Sequence, residues 1–440
     1  MTSHSFNAGD HSFYGAFDLE LLSGKITFFG ASFNQGFKDK IFAPFHQLPL
    51  VIHSEDQFEI NFTSLEEKDF DPCEYRFYDY CPETYTEIMP RVYYKEGMHG
   101  ASYEKETIDK IDEIVKGSPK KIYLFGPKSF GKSTMSRFLV NKIKSATHEQ
   151  PRKVIFVDLD PGQSEISLPS ILSCKIDCPF LLNPSEHNSI IADFLCPNFS
   201  LSINDTETHF MKSSKEIAKK ISKWQNEYFI VINSHGWVEK QGYENHVKLI
   251  DTFRPDIIFV LHRKNNDPIE INGEKYKIPN RVNVPITPIK GEMSSDPKIL
   301  REIRFTGYFL RNNRSISTQM PQEVPIRNVR FTFTFNINDM KSQIAKILNG
   351  SLVLLCNDNF VYKPSNNLLF TLVNPHYMKC VGFGFVRFVD VKNEKLYIVT
   401  PVDMKRVNTI VHQGLRPPSV LFRDSERFQV TYSFIDVVNS

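Results

Sequence analysis

The spacing of hydrophobic residues changes twice along the 440-residue chain. Up to about residue 95, apolar residues come in short runs at 20–30, 48–53, 57–62 and 76–80. Acidic and proline-containing stretches such as 66–72 punctuate them, and no helical run stands out. This pattern predicts a β-rich module, a small sandwich or barrel. Residues 20–30 read as a strand pair broken at Gly24.

Near residue 100 the period lengthens. Residues 104–116 put Ile108, Ile111 and Val115 on one helical face, and Gly117 acts as a stop. Apolar strands then alternate with helices. The strands are 121–125, 153–157, 228–232 and 256–261. The helices are one carrying Phe138, Leu139 and Ile143 on one side, a lysine-rich one over 211–226, and one running to about Phe253. The expected fold class is therefore α/β, a parallel sheet with helices on both faces and ligands at the carboxyl ends of its strands. Gly126, Asp160 and Asn233 each lie just past such an end and should converge.

Residues 262 to about 290 are polar and read as a hairpin or excursion, and 294–312 as a helix. From about 320 strand spacing returns. Residues 329–336 alternate, 382–391 and 395–401 predict a hairpin, and 428–434 close a second β module. The expected domains are 1–97, β-rich; 98–315, the α/β domain; and 316–440, β-rich.

Composition narrows this little. Hydrophobic content of 41% and charged content of 24% suit a globular chain, and the 37 Phe read as core filling. A formal charge of +2 gives no global basic field, so a nucleic-acid partner would need a local patch. The seven Cys include Cys174 and Cys178 without C-x-x-C spacing, which predicts buried free thiols in a reducing compartment. The first residues lack a signal-peptide pattern and no apolar run reaches membrane-spanning length, so no membrane is expected.

The chemistry gathers around Gly126-Pro127-Lys128-Ser129-Phe130-Gly131-Lys132-Ser133-Thr134, set between a strand and a helix. This is the phosphate-binding pattern G-x-x-x-x-G-K-[ST]. Its glycines let several backbone N–H groups aim at one point, and the helix adds its N-terminal dipole. Lys132 is expected to face a solvent-filled loop and place a point charge on the β- and γ-phosphates, with Ser133 as an oxygen ligand for Mg²⁺.

Asp158 and Asp160 follow the next strand, two apart, and point the same way if strand geometry persists. One can hold Mg²⁺ and one can accept a proton. Asp160 leads into Pro161-Gly162-Gln163, the turn toward the phosphates, and is the better placed base. Gln163 reads as a phosphate or water contact, or as a turn residue. Arg301 and Arg304 suit charge on a transferring phosphoryl group, although most helix arginines are solvated. Lys212, Lys215, Lys219, Lys220 and Lys223 read more readily as a solvated face than as a phosphate-tracking one. Trp237 suits base stacking or packing under the sheet rim; His187 and His209 show no ligand spacing.

The loop at 126–134 together with Asp158-Leu-Asp-Pro-Gly-Gln-Ser-Glu165 resembles the polynucleotide 5′-hydroxyl kinase family. Residues 233–237 (Asn-Ser-His-Gly-Trp), 300–309, 384–390, 396–401 and 20–30 resemble its nucleolar pre-rRNA-processing branch rather than its pre-mRNA cleavage-factor branch. The resemblance touches all three expected domains. It implies transfer of the γ-phosphate of ATP, or of GTP, to RNA 5′-hydroxyl ends in pre-rRNA processing. It implies Lys132 and Ser133 as phosphate and Mg²⁺ contacts, Asp160 as base and lid Arg301, with Lys132, Asp160 and Arg301 catalytic; Asp158 and Asp160 join Ser133 as Mg²⁺ candidates from their place beyond the strand. It also implies a ribosomal-RNA endonuclease partner and a place in the nucleus, in the nucleolus. Ser234 replaces the family's usual Thr, and the chain after Cys174 diverges where the substrate-clasping residues belong. A P-loop scaffold of a processing complex is the other reading. A switch GTPase is disfavoured, because Leu261-His-Arg-Lys264 stands where a base-reading Asn-Lys-x-Asp would be.

Overall fold

A computed structural model describes residues 2–66, 85–98, 100–146, 152–185, 192–198, 200–204, 206–264, 270–271, 274–275, 278–287, 296–309, 315–335, 343–359 and 369–422. The expected strands at 76–80 and 428–434 lie outside them, as does His187.

The first of three large sheets has nine strands. Its spine is the 15-residue strand Gly9–Ser23, which pairs antiparallel with Lys38–Ala43, Leu50–Ser54, Phe58–Ser64 and Val92–Glu96. Phe13, Phe17, Phe58 and Phe62 fill its core. The expected pair about Gly24 is not a pair. Gly9–Ser23 and Lys25–Phe28 are separated by Leu50–Ser54. The tight turn lies five residues on, at Phe29 (φ 48°) and Gly30 (φ 80°), and joins Lys25–Phe28 to Ala31–Asn34. Positive φ at two successive residues is the type I′ hairpin condition. A Cβ on Gly30 would lie 2.7 Å from the Phe138 carbonyl oxygen, so this turn rests on the helix Lys132–Ser145. Leu139 and Ile143 bury against the central sheet, while Phe138 packs on the same core half-buried and also meets Gly30 of the N-terminal module.

The central sheet has seven strands in the order Phe194–Pro197, Ile171–Lys175, Val154–Asp158, Phe229–Asn233, Lys121–Phe125, Ile257–Arg263, Arg281–Ile286. The last five run parallel. The apolar runs of the inner ones are buried on both faces, as sheets covered by helices require. Three strands of this sheet went unread in the sequence, Phe194–Pro197 at one edge among them. Ile171–Lys175 is antiparallel to its neighbours on both sides. Arg281–Ile286 lies within the supposed excursion; its polar alternation and Pro285 suit an edge. The lysine-rich helix spans Glu207–Ile221, earlier than expected, and relaxes into a 3-10 turn at Ser222–Trp224.

The C-terminal sheet also has seven strands, and the expected hairpin is there as Lys379–Asp390 paired with Lys395–Val399. The helix expected over 294–312 is described as Pro297–Phe309. Among the described residues no helix is long and apolar enough to cross a membrane.

Candidate active site

The strand Lys121–Phe125 ends directly at Gly126, whose φ is +157°. A Cβ there would come within 2.9 Å of the Leu261 carbonyl oxygen on the adjacent strand, so glycine is needed for the chain to turn. Ser129 and Gly131 also take positive φ, which curls the loop before the helix starts at Lys132. Residues 126–134 thus form a loop over a helix N-terminus, the arrangement that gathers N–H groups around an anion.

Lys132 does not face open solvent. It is 6% exposed, and its Nζ donates to the carbonyls of Gly126 and Pro127, both at 2.8 Å. Burial lowers its pKa to about 8, and the charge of Asp160 partly restores it. At pH 7 the ammonium is still the main form.

Gly126, Asp160 and Asn233 converge as expected. Asn233 ends its strand beside Asp158 and donates through Nδ2 to Asp158 Oδ1 at 3.1 Å and to Ser133 Oγ at 3.5 Å. One side chain therefore ties the strand end to the first turn of the loop helix. The segment after it packs on the loop. A Cβ on Gly236 would stand 2.7 Å from Lys128 Cα, and Ser234 Oγ donates to the Leu124 carbonyl. His235 is buried beneath. Desolvation, and then the charge of Lys132, push its pKa down to about 3. Trp237 is half-buried and packs on the apolar layer under the sheet, with Gly242 against its ring.

The strand stops at Asp158, so strand alternation does not extend to Asp160, and the two acids have different partners. Asp158 is fully buried. It accepts from the Glu165 N–H at 2.5 Å, Ser164 Oγ at 3.0 Å, Asn233 Nδ2 at 3.1 Å and the Asp160 N–H at 3.2 Å. Its oxygens are thus occupied by protein donors, and desolvation raises its pKa to about 7. Asp160 sits in the turn beyond. Its Oδ1 accepts the N–H groups of Gly162 at 2.9 Å and Gln163 at 3.2 Å, which fixes the carboxylate toward the loop. Ser133 Oγ and the Asp160 carboxylate are hard oxygen donors of the type Mg²⁺ takes, one or two carboxylates plus phosphate oxygens. Asp158 stands behind them and acts on Ser133 through Asn233.

Gln163 reaches farther. Its Nε2 donates to the carbonyl of Pro297 at 3.2 Å, the first residue of the helix Pro297–Phe309. Arg301 follows one turn later and is half-buried. Arg304 is 7% exposed, and its Nε and Nη1 have no hydrogen-bond partner among the described residues.

Two residues escaped the sequence reading. Ser164 and Glu165 hold Asp158, and the Glu165 carboxylate lies 3.4 Å from Arg137 Nε on the loop helix. Both stand inside the family-like run 158–165, but nothing in it assigned them a role. The expected lysine row stays apart from the loop. Lys212 and Lys215 line a cavity of about 560 Å³ between two helices together with Lys248, Glu207 and Asp251, a mixed-charge lining with no residue of 126–134. Cys174, Cys178 and Cys196 are buried free thiols. Burial pushes Cys178 and Cys196 up to about 12, so both stay protonated and unreactive.

Fold and loop together define a P-loop α/β protein. Residues 126–311 match the family model "mRNA cleavage and polyadenylation factor CLP1 P-loop", and 317–415 match "NOL9-like, C-terminal domain". A Dictyostelium discoideum protein named polynucleotide 5′-hydroxyl-kinase nol9 is 25% identical over 400 residues, covering 72% of this chain and 57% of its own. Its Caenorhabditis elegans counterpart, nol-9, is 27% identical over 334 residues, covering 68% and 58%. The chain therefore spans less than two thirds of these relatives. The solved structure of wild-type Clp1p in complex with a Pcf11p segment superposes with a TM-score of 0.63 at 13% identity, covering 94% of this chain and 97% of that one. The chain thus carries a CLP1-like P-loop region followed by a NOL9-like C-terminal region, and it is similar to proteins named polynucleotide 5′-hydroxyl-kinase.

Proposed function

We propose that this protein transfers the γ-phosphate of ATP, or of GTP, to the 5′-hydroxyl of RNA. The observation that carries the reading is the Asp160 carboxylate. Two backbone N–H groups hold it in place, and it is close enough to Lys132 to raise that residue's pKa. A proton acceptor and a phosphate-binding cation so placed suit an alcohol attacking a phosphoryl group.

In this mechanism Asp160 takes the proton from the 5′-hydroxyl as its oxygen bonds to the γ-phosphorus. The bond from that phosphorus to the β-phosphate oxygen breaks, leaving the nucleoside diphosphate. Lys132 neutralises charge on the phosphates, the N–H groups of 126–134 cradle them, and Arg301 closes from the lid helix. Mg²⁺, held by Ser133 and Asp160, would offset charge on the β- and γ-phosphate oxygens. Asp158 keeps Ser133 and the turn in register through Asn233, Ser164 and Glu165.

The names of the nol9 relatives support a polynucleotide 5′-hydroxyl kinase; a role on pre-rRNA ends in the nucleus, in the nucleolus, beside a ribosomal-RNA endonuclease is what the sequence resemblance implies. The division we propose is a β-rich N-terminal domain at 1–97, the kinase domain at 98–315 and a β-rich C-terminal domain at 316–440. Transfer of labelled γ-phosphate from ATP or GTP to 5′-hydroxyl RNA and DNA oligonucleotides tests the activity. Tight nucleotide binding without transfer would favour a scaffold instead.

A further inference from the structure

The helix Pro297–Phe309 begins at the site and ends in the C-terminal sheet. At its start the Pro297 carbonyl accepts from Gln163. In its last turn the Tyr308 hydroxyl accepts the Phe383 N–H at 3.0 Å and donates to the Phe383 carbonyl at 3.3 Å. Thr400 Oγ1 donates to the same carbonyl at 2.6 Å. The ladder between Lys379–Asp390 and Lys395–Val399 starts only at Phe385. Two side-chain hydroxyls thus do for Phe383 what a neighbouring strand does farther along.

The socket is cut to fit the tyrosine. Gly382 has φ +153°, and a Cβ on it would lie 2.5 Å from the Tyr308 hydroxyl oxygen. Phe305 stands edge-on to Phe383 at 5.3 Å. Phe305 and Phe309 share an apolar cluster with Leu354 and Val411 of the C-terminal sheet and with Ile171 at the edge of the central sheet. The helix is therefore clamped between the two sheets. Arg301, Arg304 and Tyr308 are spaced three and four residues apart, which puts them on one face.

We infer that Tyr308 is a positioning residue for phosphoryl transfer: its latch on Phe383 and Gly382 lets the C-terminal sheet set where Arg301 meets the phosphate loop. This rests on the kinase reading. A helix is stiff along its axis, so slack at Tyr308 reaches Arg301 two turns away undiminished. Misplacement of about 1 Å costs on the order of a hundredfold in rate.

Tyr308→Phe keeps the ring and removes both hydrogen bonds. The expected result is a kcat for labelled-phosphate transfer lower by about tenfold to a hundredfold, with nucleotide affinity held and the protein still folded at the assay temperature, its Tm lowered only by the two lost bonds. Amide hydrogen exchange should rise across 297–309 but not across 121–125. Gly382→Ala should give at least the same loss, since its Cβ would meet Val402 Cγ2 as well as the Tyr308 hydroxyl at 2.5 Å, and adding Tyr308→Phe to it should cost less than the two single losses combined, because both break one latch. Unchanged kcat and unchanged exchange in Tyr308→Phe would overturn the proposal. A kcat loss matched by an equal loss of nucleotide affinity or of folded protein would overturn it as well. Should the wild-type chain transfer no phosphate, the kinase reading fails. The exchange arm then still decides, since an unmoved 297–309 rules the latch out.

Discussion

Asn233 Nδ2 lies 3.1 Å from Asp158 Oδ1, across the seam between two neighbouring parallel strands. The same nitrogen reaches Ser133 Oγ on the loop helix. A buried carboxylate with protein donors on both oxygens cannot swing toward a ligand without losing them. Asp158 is thus a fixed post, and the residues free to meet substrate are those it braces: Ser133 on one side and the Asp160 turn on the other.

Lys132→Ala should lower phosphoryl transfer by several orders of magnitude, as loss of a charge contact to the transferring group does. It should also cost stability, because the buried Nζ caps two loop carbonyls at 2.8 Å. A loss of about 1–3 kcal/mol is expected in urea unfolding. Near-normal turnover would sink the kinase reading, and an unchanged midpoint would show the two capping bonds to be weak.

Arg301→Lys should keep nucleotide binding and lose most of kcat, because lysine lacks the planar fork that spans two phosphate oxygens. Arg304 is the deeper of the two and carries unpartnered donors. If Arg301→Lys is silent while Arg304→Lys loses kcat, the closing arginine is Arg304.

Acid should destabilise the fold through His235 and His246, both buried and held neutral by desolvation. The His235 pKa falls from 6.5 to about 3, so between those values the unfolded chain binds more protons than the folded one. Stability from this group is full above pH 6.5 and is lost as pH falls toward 3, at about 1.4 kcal/mol per pH unit for each histidine. Urea titrations at pH 7 and pH 5 should show this slope, and His235→Gln should reduce it. An unreduced slope would mean that carboxylates alone carry the acid sensitivity.

Legibility in the sequence followed range. The loop at 126–134 was legible because its glycine spacing and the strand and helix around it are all local. The convergence of Gly126, Asp160 and Asn233 was legible because parallel strands place their carboxyl ends on one edge. The antiparallel strand Ile171–Lys175 carries the same apolar run as a parallel one, so nothing in Ile-Leu-Ser-Cys marks its direction. Gly24 looked like the turn, yet Phe29-Gly30 makes it, because a β-aromatic residue gives no hint that it will accept positive φ. The bonds from Gln163 to Pro297 and from Tyr308 to Phe383 join residues 134 and 75 positions apart, beyond any periodicity.

The sharpest division of labour concerns Asp160 and Asp158. Asp160 is held by two backbone N–H groups on one oxygen, a pattern that orients a carboxylate while leaving it able to take a proton. Asp160→Asn keeps the size and removes the proton-accepting charge, so transfer should vanish while nucleotide affinity changes less. Asp158 receives four protein donors, and an asparagine there would aim its own NH₂ at one of them. Asp158→Asn should therefore act through structure. Tm should fall, the Mg²⁺ requirement should rise as Ser133 loses its brace, and transfer should persist at saturating Mg²⁺. Single-turnover phosphorylation of a 5′-hydroxyl RNA across a Mg²⁺ titration separates the two. A dead Asp158→Asn beside an active Asp160→Asn at saturating Mg²⁺ would reverse the assignment and make the buried acid the base.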